Sequence, residues 1–308
     1  MKAGSNLERV FQSGTFALTS ELGPPKSCDA ELIRNKVKNF KGYVDAVNIT
    51  DNQTAIVRMS SVAASAILVQ EGLEPVMQMT CRDRNRLAMQ SDILGAYALG
   101  IKNILCLSGD HQKFGNHPYA KNVYDIGSME LVSMVRKMRD DSIFDCGEEM
   151  KVPPKMFIGA ACNPFGDPFE FRVIRLGKKI RSGADFIQTQ AVFDLNRFKD
   201  FMRMARDRGF HEQTYFMAGI IPPKSAKALE YMQKEVPGMV VPEELVTRMK
   251  SAADPQKEGI KITLEIIEEV RQIEGVKGVH LMPVMYDSCV PIIAEEGGFL
   301  PRPTFENV

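Results

Sequence analysis

Short, nearly continuous apolar runs recur along the chain, each followed by a stretch with helical periodicity. The runs are Phe16–Glu21, Val44–Thr50, Pro75–Thr80, Asn103–Ser108, Phe157–Cys162, Asp185–Gln190, Tyr215–Ile221 and Val279–Val284. Runs of this length and composition predict strands buried on both faces, as in a parallel sheet. The helical stretches are Asp29–Asn39, Ser60–Glu71, Asn85–Leu99, Ser128–Arg139, Pro168–Ser182, Leu195–Asp207, Ser225–Glu235 and Gly259–Ile273. Asp29 stands at an N-cap position, and Gly100 and Gly183 stand just past helix ends, where the chain turns out of the helix. In the last stretch Ile260, Leu264 and Ile267 share one stripe, with charged residues elsewhere.

Eight strands alternating with eight or more helices in 308 residues predict an α/β chain folded as a (β/α)8 TIM barrel. The rival is an open doubly wound sheet, which calls for a Gly-rich first turn. Here that turn reads Leu22-Gly23-Pro24-Pro25, and no G-x-x-x-x-G-K-[ST] occurs anywhere. Asp110–Gly127, with its Gly, His, Pro and Asn, reads as a long loop on the face where barrel enzymes act. Asp140–Pro154 is polar, ends in two prolines and is expected to cross the barrel bottom. Residues 297–308 read as a loose tail. No linker or repeat divides residues 1–308, which read as one domain.

Composition narrows the classes. Apolar residues are 44% and charged residues 25%, as in ordinary globular chains. Lys plus Arg is 39 and Asp plus Glu is 39. That balance argues against a nucleic-acid partner, which would demand a surplus of cations, and against an electrostatic membrane anchor. No apolar run approaches the ~20 residues of a spanning helix, so no membrane insertion is expected. The opening MKAGSNLERVFQSG lacks the apolar segment of a secretory signal. The six cysteines are scattered with no C-x-x-C pair, so neither a disulfide framework nor a metal site stands out. A cytoplasmic protein with inert cysteines is the expectation.

Candidate chemistry collects at the strand ends, which in a barrel surround one pocket. They carry Glu21, Asn48 with Thr50, Gln78 with Thr80, Ser108-Gly109-Asp110, Asn163, Gln188 with Gln190, Gly219 and Met282. Strands buried on both faces should avoid carboxylates and amides, because an unpaired buried polar group is costly. Their recurrence at one end therefore favours a ligand site over packing. Each has a plainer reading too. Glu21 serves equally as an ion-paired barrel residue, Asp110 as a loop Asx-turn, and Gln190 as a partner for nearby backbone. Lys178 and Lys179 read as a solvated helix face unless a phosphate lies near. Among the histidines only His111 is a pocket neighbour; His117, His211 and His280 are read as surface residues.

The ordered strand-end motifs resemble those of the methylenetetrahydrofolate reductases. T-S-E-L-G-P-P at Thr19–Pro25 is similar to that family's first-strand motif. V-N-I-T ending at Thr50, M-T-C at Met79–Cys81, L-S-G-D at Leu107–Asp110, K-K-I-R-S-G-A-D at Lys178–Asp185, Q-T-Q-A-V-F-D at Gln188–Asp194, A-G-I-I-P-P at Ala218–Pro223 and G-V-K-G-V-H at Gly275–His280 follow in order. The resemblance runs from about Phe16 to Gly297. It implies a barrel binding FAD, or the shorter FMN, in which reduced flavin passes a hydride to 5,10-methylenetetrahydrofolate to give 5-methyltetrahydrofolate. It implies Glu21 as the general acid, since a carboxyl walled by apolar strands keeps a proton to donate. Asp110 is implied beside the flavin and the pterin, where its charge favours a cationic iminium. Gln190 is implied as a substrate hydrogen-bonding residue. Thr50, Gln78, Ser108, Gly109, Asp110, Asp167, Lys178 and Lys179 fall on flavin-contacting positions, the lysines toward the phosphate end.

The chain departs from the family's pattern around the cofactor. Gln78 and Ser108 stand where many relatives have His and Arg; Cys162, Asp167, Arg172, Ala226 and Gly127-Ser128 replace other familiar residues. These departures imply a divergent branch, like those of anaerobic one-carbon pathways, whose electrons come from NAD(P)H or from a partner subunit in an oligomer or complex. Two other readings remain beside this one. One is a pterin-binding barrel that passes a methyl group to a corrinoid protein. The other is a non-catalytic barrel subunit of an electron-transfer complex.

Overall fold

The structure, a computed structural model, describes residues 1–236 and 238–305. Its centre is a closed barrel of eight parallel strands in chain order, as the alternating pattern predicts. The strands are β1 (Ala17–Leu22), β2 (Ala46–Ile49), β3 (Pro75–Thr80), β4 (Asn103–Leu107), β5 (Phe157–Cys162), β6 (Phe186–Ala191), β7 (Tyr215–Ile220) and β8 (Val276–Leu281). Closure is made by β8 against β1, with Thr19 opposite His280. The helices are α1 (Asn6–Gln12), α2 (Glu31–Val37), α3 (Ser61–Gln70), α4 (Arg86–Ala98), α5 (Ser128–Asp140), α6 (Phe169–Ser182), α7 (Leu195–Arg206), α8 (Ala226–Glu235), α9 (Glu243–Ser251), α10 (Pro255–Arg271) and α11 (Cys289–Glu296). None of those described is long and apolar enough to cross a membrane.

Strand side chains alternate between two apolar compartments. Residues such as Val47, Ile49, Met77, Ile104, Ile158 and Ile187 face the helices in one continuous shell. Ala17, Ala46, Val76, Leu105, Phe157, Phe186 and Met217 fill the barrel's lower interior. There α1 closes the base, adding Leu7, Val10 and Phe11 to the same cluster, and Phe11 stacks on Tyr215 with centroids 4.5 Å apart. Phe157 and Phe186 stack at 5.1 Å. Gly159 makes room for them: a Cβ there would lie 2.3 Å from the Phe186 ring.

The structure departs from the sequence pattern in four places. β8 begins at Val276 rather than Val279, because pairing with β1 and β7 sets its ends, and Pro283 lies beyond the ladder. The helices α1, α9 and α11 have no counterpart in the expected set; each is short and earns its helical state from tertiary contacts. Asp140–Pro154 does not cross the bottom. It folds back along the outer wall, where the Asp145 carboxylate accepts from Arg86 Nη1 at 2.9 Å and the Asp145 N–H donates to Gln90 Oε1 at 2.8 Å. The tail is not loose through residue 305. Phe299 is buried, and Arg302 Nε donates to Asp45 Oδ1 at 2.8 Å. Residues 306–308 of that tail lie outside the described residues.

Candidate functional site at the barrel mouth

Above the apolar floor the barrel interior turns polar. Inward positions two residues further along the strands are Thr19, Asn48, Gln188 and His280, all buried. They satisfy one another. Asn48 Nδ2 donates to Gln188 Oε1 at 2.7 Å, and Gln188 Nε2 returns to Asn48 Oδ1 at 3.3 Å. Thr19 Oγ1 lies 2.9 Å from His280 Nδ1. A belt of this kind costs no unsatisfied polar group, and it supports the layer above it.

That upper layer holds Glu21 and Gln78. Gln78 Nε2 donates to Glu21 Oε2 at 3.2 Å, and His280 Nε2 lies 3.9 Å from the same oxygen. The Glu21 side chain is 16% exposed, so it opens to the mouth while its neighbours stay buried. Beside it at the end of β2, the Thr50 hydroxyl is buried with no hydrogen-bond partner among the described residues. Asp51 follows, a buried carboxylate that accepts from the Thr80 N–H and hydroxyl, both at 2.9 Å, and from Arg84 Nη1 at 2.7 Å.

The turn after β4 brings Ser108, Gly109 and Asp110 to the same end. Gly109 adopts φ +84°, and a Cβ there would lie 3.0 Å from Thr80 Cβ. Only glycine allows both that backbone and that approach. Asp110 is exposed and accepts from the Thr54 N–H at 3.2 Å. Ser108 Oγ bonds Ser128 Oγ at 3.2 Å. Gln190 is exposed where the β6–β7 register shifts between Gln188 and Ala191. On the outer side, the Lys179 ammonium donates to the Ala161 carbonyl near the end of β5, and burial pushes its pKa below the ordinary lysine value. Lys178 stays exposed on α6, and Asp167, also exposed, pairs with Arg197 at 2.7 Å.

The structure thus brings Glu21 and Gln78 into contact and sets Thr50, Ser108, Gly109, Asp110 and Gln190 around the same rim. Lys178, Lys179 and Asp167 stand further out. His280 is the residue that the sequence reading misplaced on the surface. It is buried beside Glu21, and its signal was one polar residue between the apolar Val279 and Leu281 of a strand. Burial holds the thiols of Cys81 and Cys289 up at about 12 and that of Cys162 at about 11, so none is a ready nucleophile.

The rim and the wall outside it suit a phosphate-bearing cofactor on two counts. At the end of β2 a buried hydroxyl on Thr50 lacks a partner, and further out the Lys179 ammonium has a carbonyl but no carboxylate against it among the described residues. An anion would stabilise that buried cation.

A family model described as methylenetetrahydrofolate reductase matches residues 6–298. A 5,10-methylenetetrahydrofolate reductase of Pectobacterium carotovorum is 23% identical over 275 residues, covering 87% of this chain and 85% of that protein. Methylenetetrahydrofolate reductase 2 of Schizosaccharomyces pombe is 26% identical over 246 residues, 73% of this chain and 36% of that one. A probable NADPH-dependent methylenetetrahydrofolate reductase of Caenorhabditis elegans is 26% identical over 187 residues, 59% of this chain and 25% of that one. The chain therefore spans only a quarter to about a third of these two eukaryotic relatives. A solved Clostridium thermocellum protein, described as binding two copies of 5-methyl-5,6,7,8-tetrahydrofolic acid, superposes with a TM-score of 0.65 at 14% identity, covering 96% of this chain and 99% of that one, which shows the shared barrel. Since the family model takes in all eight strands and the helices between them, this chain belongs to the methylenetetrahydrofolate reductase family.

Proposed function

We propose that this chain reduces 5,10-methylenetetrahydrofolate to 5-methyltetrahydrofolate with a flavin, FAD or FMN, as its resident cofactor. The observation that carries the reading is the Glu21 carboxyl at the barrel mouth, hydrogen-bonded by Gln78 and backed by His280. Family membership and a fold neighbour described as binding the methylated folate support the same substrate class. A bound reduced flavin would supply the hydride that the methylene carbon accepts. Thr50, Gln78, Ser108, Gly109, Asp167, Lys178 and Lys179 are the residues assigned to hold it, with Lys179 toward its phosphate.

The chain's own residues then handle the proton and the charge. Glu21 donates its proton to the folate nitrogen whose bond to the methylene carbon breaks. Gln78 occupies Oε2, which leaves Oε1 to carry the proton. Thr19 holds the His280 ring on the other side, so the carboxyl stays aimed at the mouth. Asp110 accepts from pterin N–H groups, and its negative charge stabilises the cationic iminium that ring opening creates. Gln190 offers its amide to the substrate from the β6 edge. The six free cysteines fit a reducing cytoplasm, and electrons reach the flavin from NAD(P)H or from a partner subunit.

The test is Glu21→Gln in the flavin-loaded protein. Flavin reduction should persist while folate reduction falls by about 10²–10⁴-fold, the usual worth of a positioned acid. Equal loss of both half-reactions would show Glu21 to be structural. Purified protein that takes up neither FAD nor FMN, or that transfers a methyl group without hydride chemistry, would overturn the reading as a whole.

A further inference from the structure

The strongest feature that this chemistry leaves unused is a buried guanidinium at the rim. Arg82 follows β3 by two residues, and its side chain is only 2% exposed. It bonds in two directions. Nε and Nη2 grip both oxygens of Asp83, at 2.8 and 2.6 Å. Nη1 donates to the Asp110 carbonyl at 3.0 Å, and Nη2 to the Asn52 carbonyl at 3.2 Å. Asp83 in turn accepts from Asn52 Nδ2 at 3.4 Å.

The backbone around Arg82 is tied into the same two loops. Its carbonyl accepts from the Val123 N–H at 2.8 Å, and that of Cys81 from the Tyr124 N–H at 3.2 Å. The Tyr124 hydroxyl reaches the Gly109 carbonyl at 3.2 Å. The loop after β2 and both ends of the loop after β4 therefore converge on residues 81–83. The loop after β2 also holds Asn52, Thr54 and Ala55 in left-handed conformations, which persist only where surrounding contacts impose them.

We propose that Arg82 is a positioning residue: it fixes the Gly109–Asp110 turn against the Asn52 loop and so sets where the Asp110 carboxylate meets substrate. This rests on the folate reading above. The chemistry of the guanidinium is what the task needs. It is planar, always charged, and presents donors in a rigid fork that serves a carboxylate on one edge and carbonyls on the other. A lysine at the same place has one ammonium and cannot keep both edges occupied. Asp83 orients the fork and keeps the charge paired.

The experiment uses the flavin-loaded full chain with Arg82→Lys and, because loss of the buried cation can impair folding, also Asp83→Asn. Two readouts are taken. In hydrogen exchange, peptides covering 52–58 and 109–124 should exchange at least tenfold faster in both variants, while β1 and β8 peptides stay unchanged. In steady-state turnover, KM for methylenetetrahydrofolate should rise about tenfold, with flavin content and the rate of flavin reduction within twofold of the parent. Unchanged exchange in those loops, or a fall in kcat with no change in KM, overturns the proposal. If the parent protein itself does not turn over the folate, the functional reading falls, and the exchange data still decide whether Arg82 holds the two loops.

Discussion

Lys179 shows how one side chain can be read from its solvation. Its ammonium is drawn behind the barrel wall onto the Ala161 carbonyl, and burial lowers its pKa from 10.5. Between that lowered value and 10.5 the unfolded chain binds more protons than the folded one, so stability rises with pH across the window. Below the window the fold carries the full cost of the buried charge. Urea midpoints at successive pH values should therefore show the parent gaining on Lys179→Met as pH climbs toward 10.5. A constant difference would mean that the ammonium is not desolvated. At the same scale, His280 and Glu21 illustrate what sequence reveals unevenly. Glu21 was conspicuous as a carboxylate in an apolar run. His280 was not, because a single polar residue between Val279 and Leu281 leaves its partner unknown until β8 closes against β1 and puts it opposite Thr19.

Among the elements, the strands were legible because continuous apolar runs are local signals, and six of the eight expected runs match the observed strands to within one residue at each end. Helix α1 was not legible. Its seven residues carry no long periodic stripe, and its purpose is to close the base, where Phe11 meets Tyr215. The β5–β6 contact gives the sharpest test of how tightly this floor is packed. Gly159→Ala places a methyl group 2.3 Å from the Phe186 ring. The ring must shift against Phe157, and overpacking of this kind costs about 1–3 kcal/mol. Urea denaturation should report that loss, and Gly159→Ala with Phe186→Leu should recover part of it. A neutral Gly159→Ala would show a looser floor than the stacking implies.

For the molecule as a whole, the C-terminal segment acts as a brace. Arg302 reaches back to Asp45 at the start of β2, and Asp45 also accepts from the Leu18 N–H at 2.7 Å. Burial raises the Asp45 pKa although Arg302 opposes the shift. Removing the cation leaves that carboxylate buried and unpaired, which costs about 3–5 kcal/mol. Arg302→Met should therefore destabilise the protein strongly at pH 7, as read by urea denaturation, and Asp45→Asn added to it should restore part of the loss. If Arg302→Met alone is neutral, the segment is not a brace.

The amino-acid sequence by itself determined the alternation of eight strands with helices, the closed parallel barrel and the gathering of polar residues at one end of the strands. These follow from periodicity and from the cost of burying polar groups, both readable in short windows. Only the tertiary structure decided which of those polar groups touch. The Glu21–Gln78 contact, the Thr19–His280 pair and the Arg82 fork each join residues from different strands or loops, and their distances are set by register, barrel closure and loop packing rather than by neighbours in the chain.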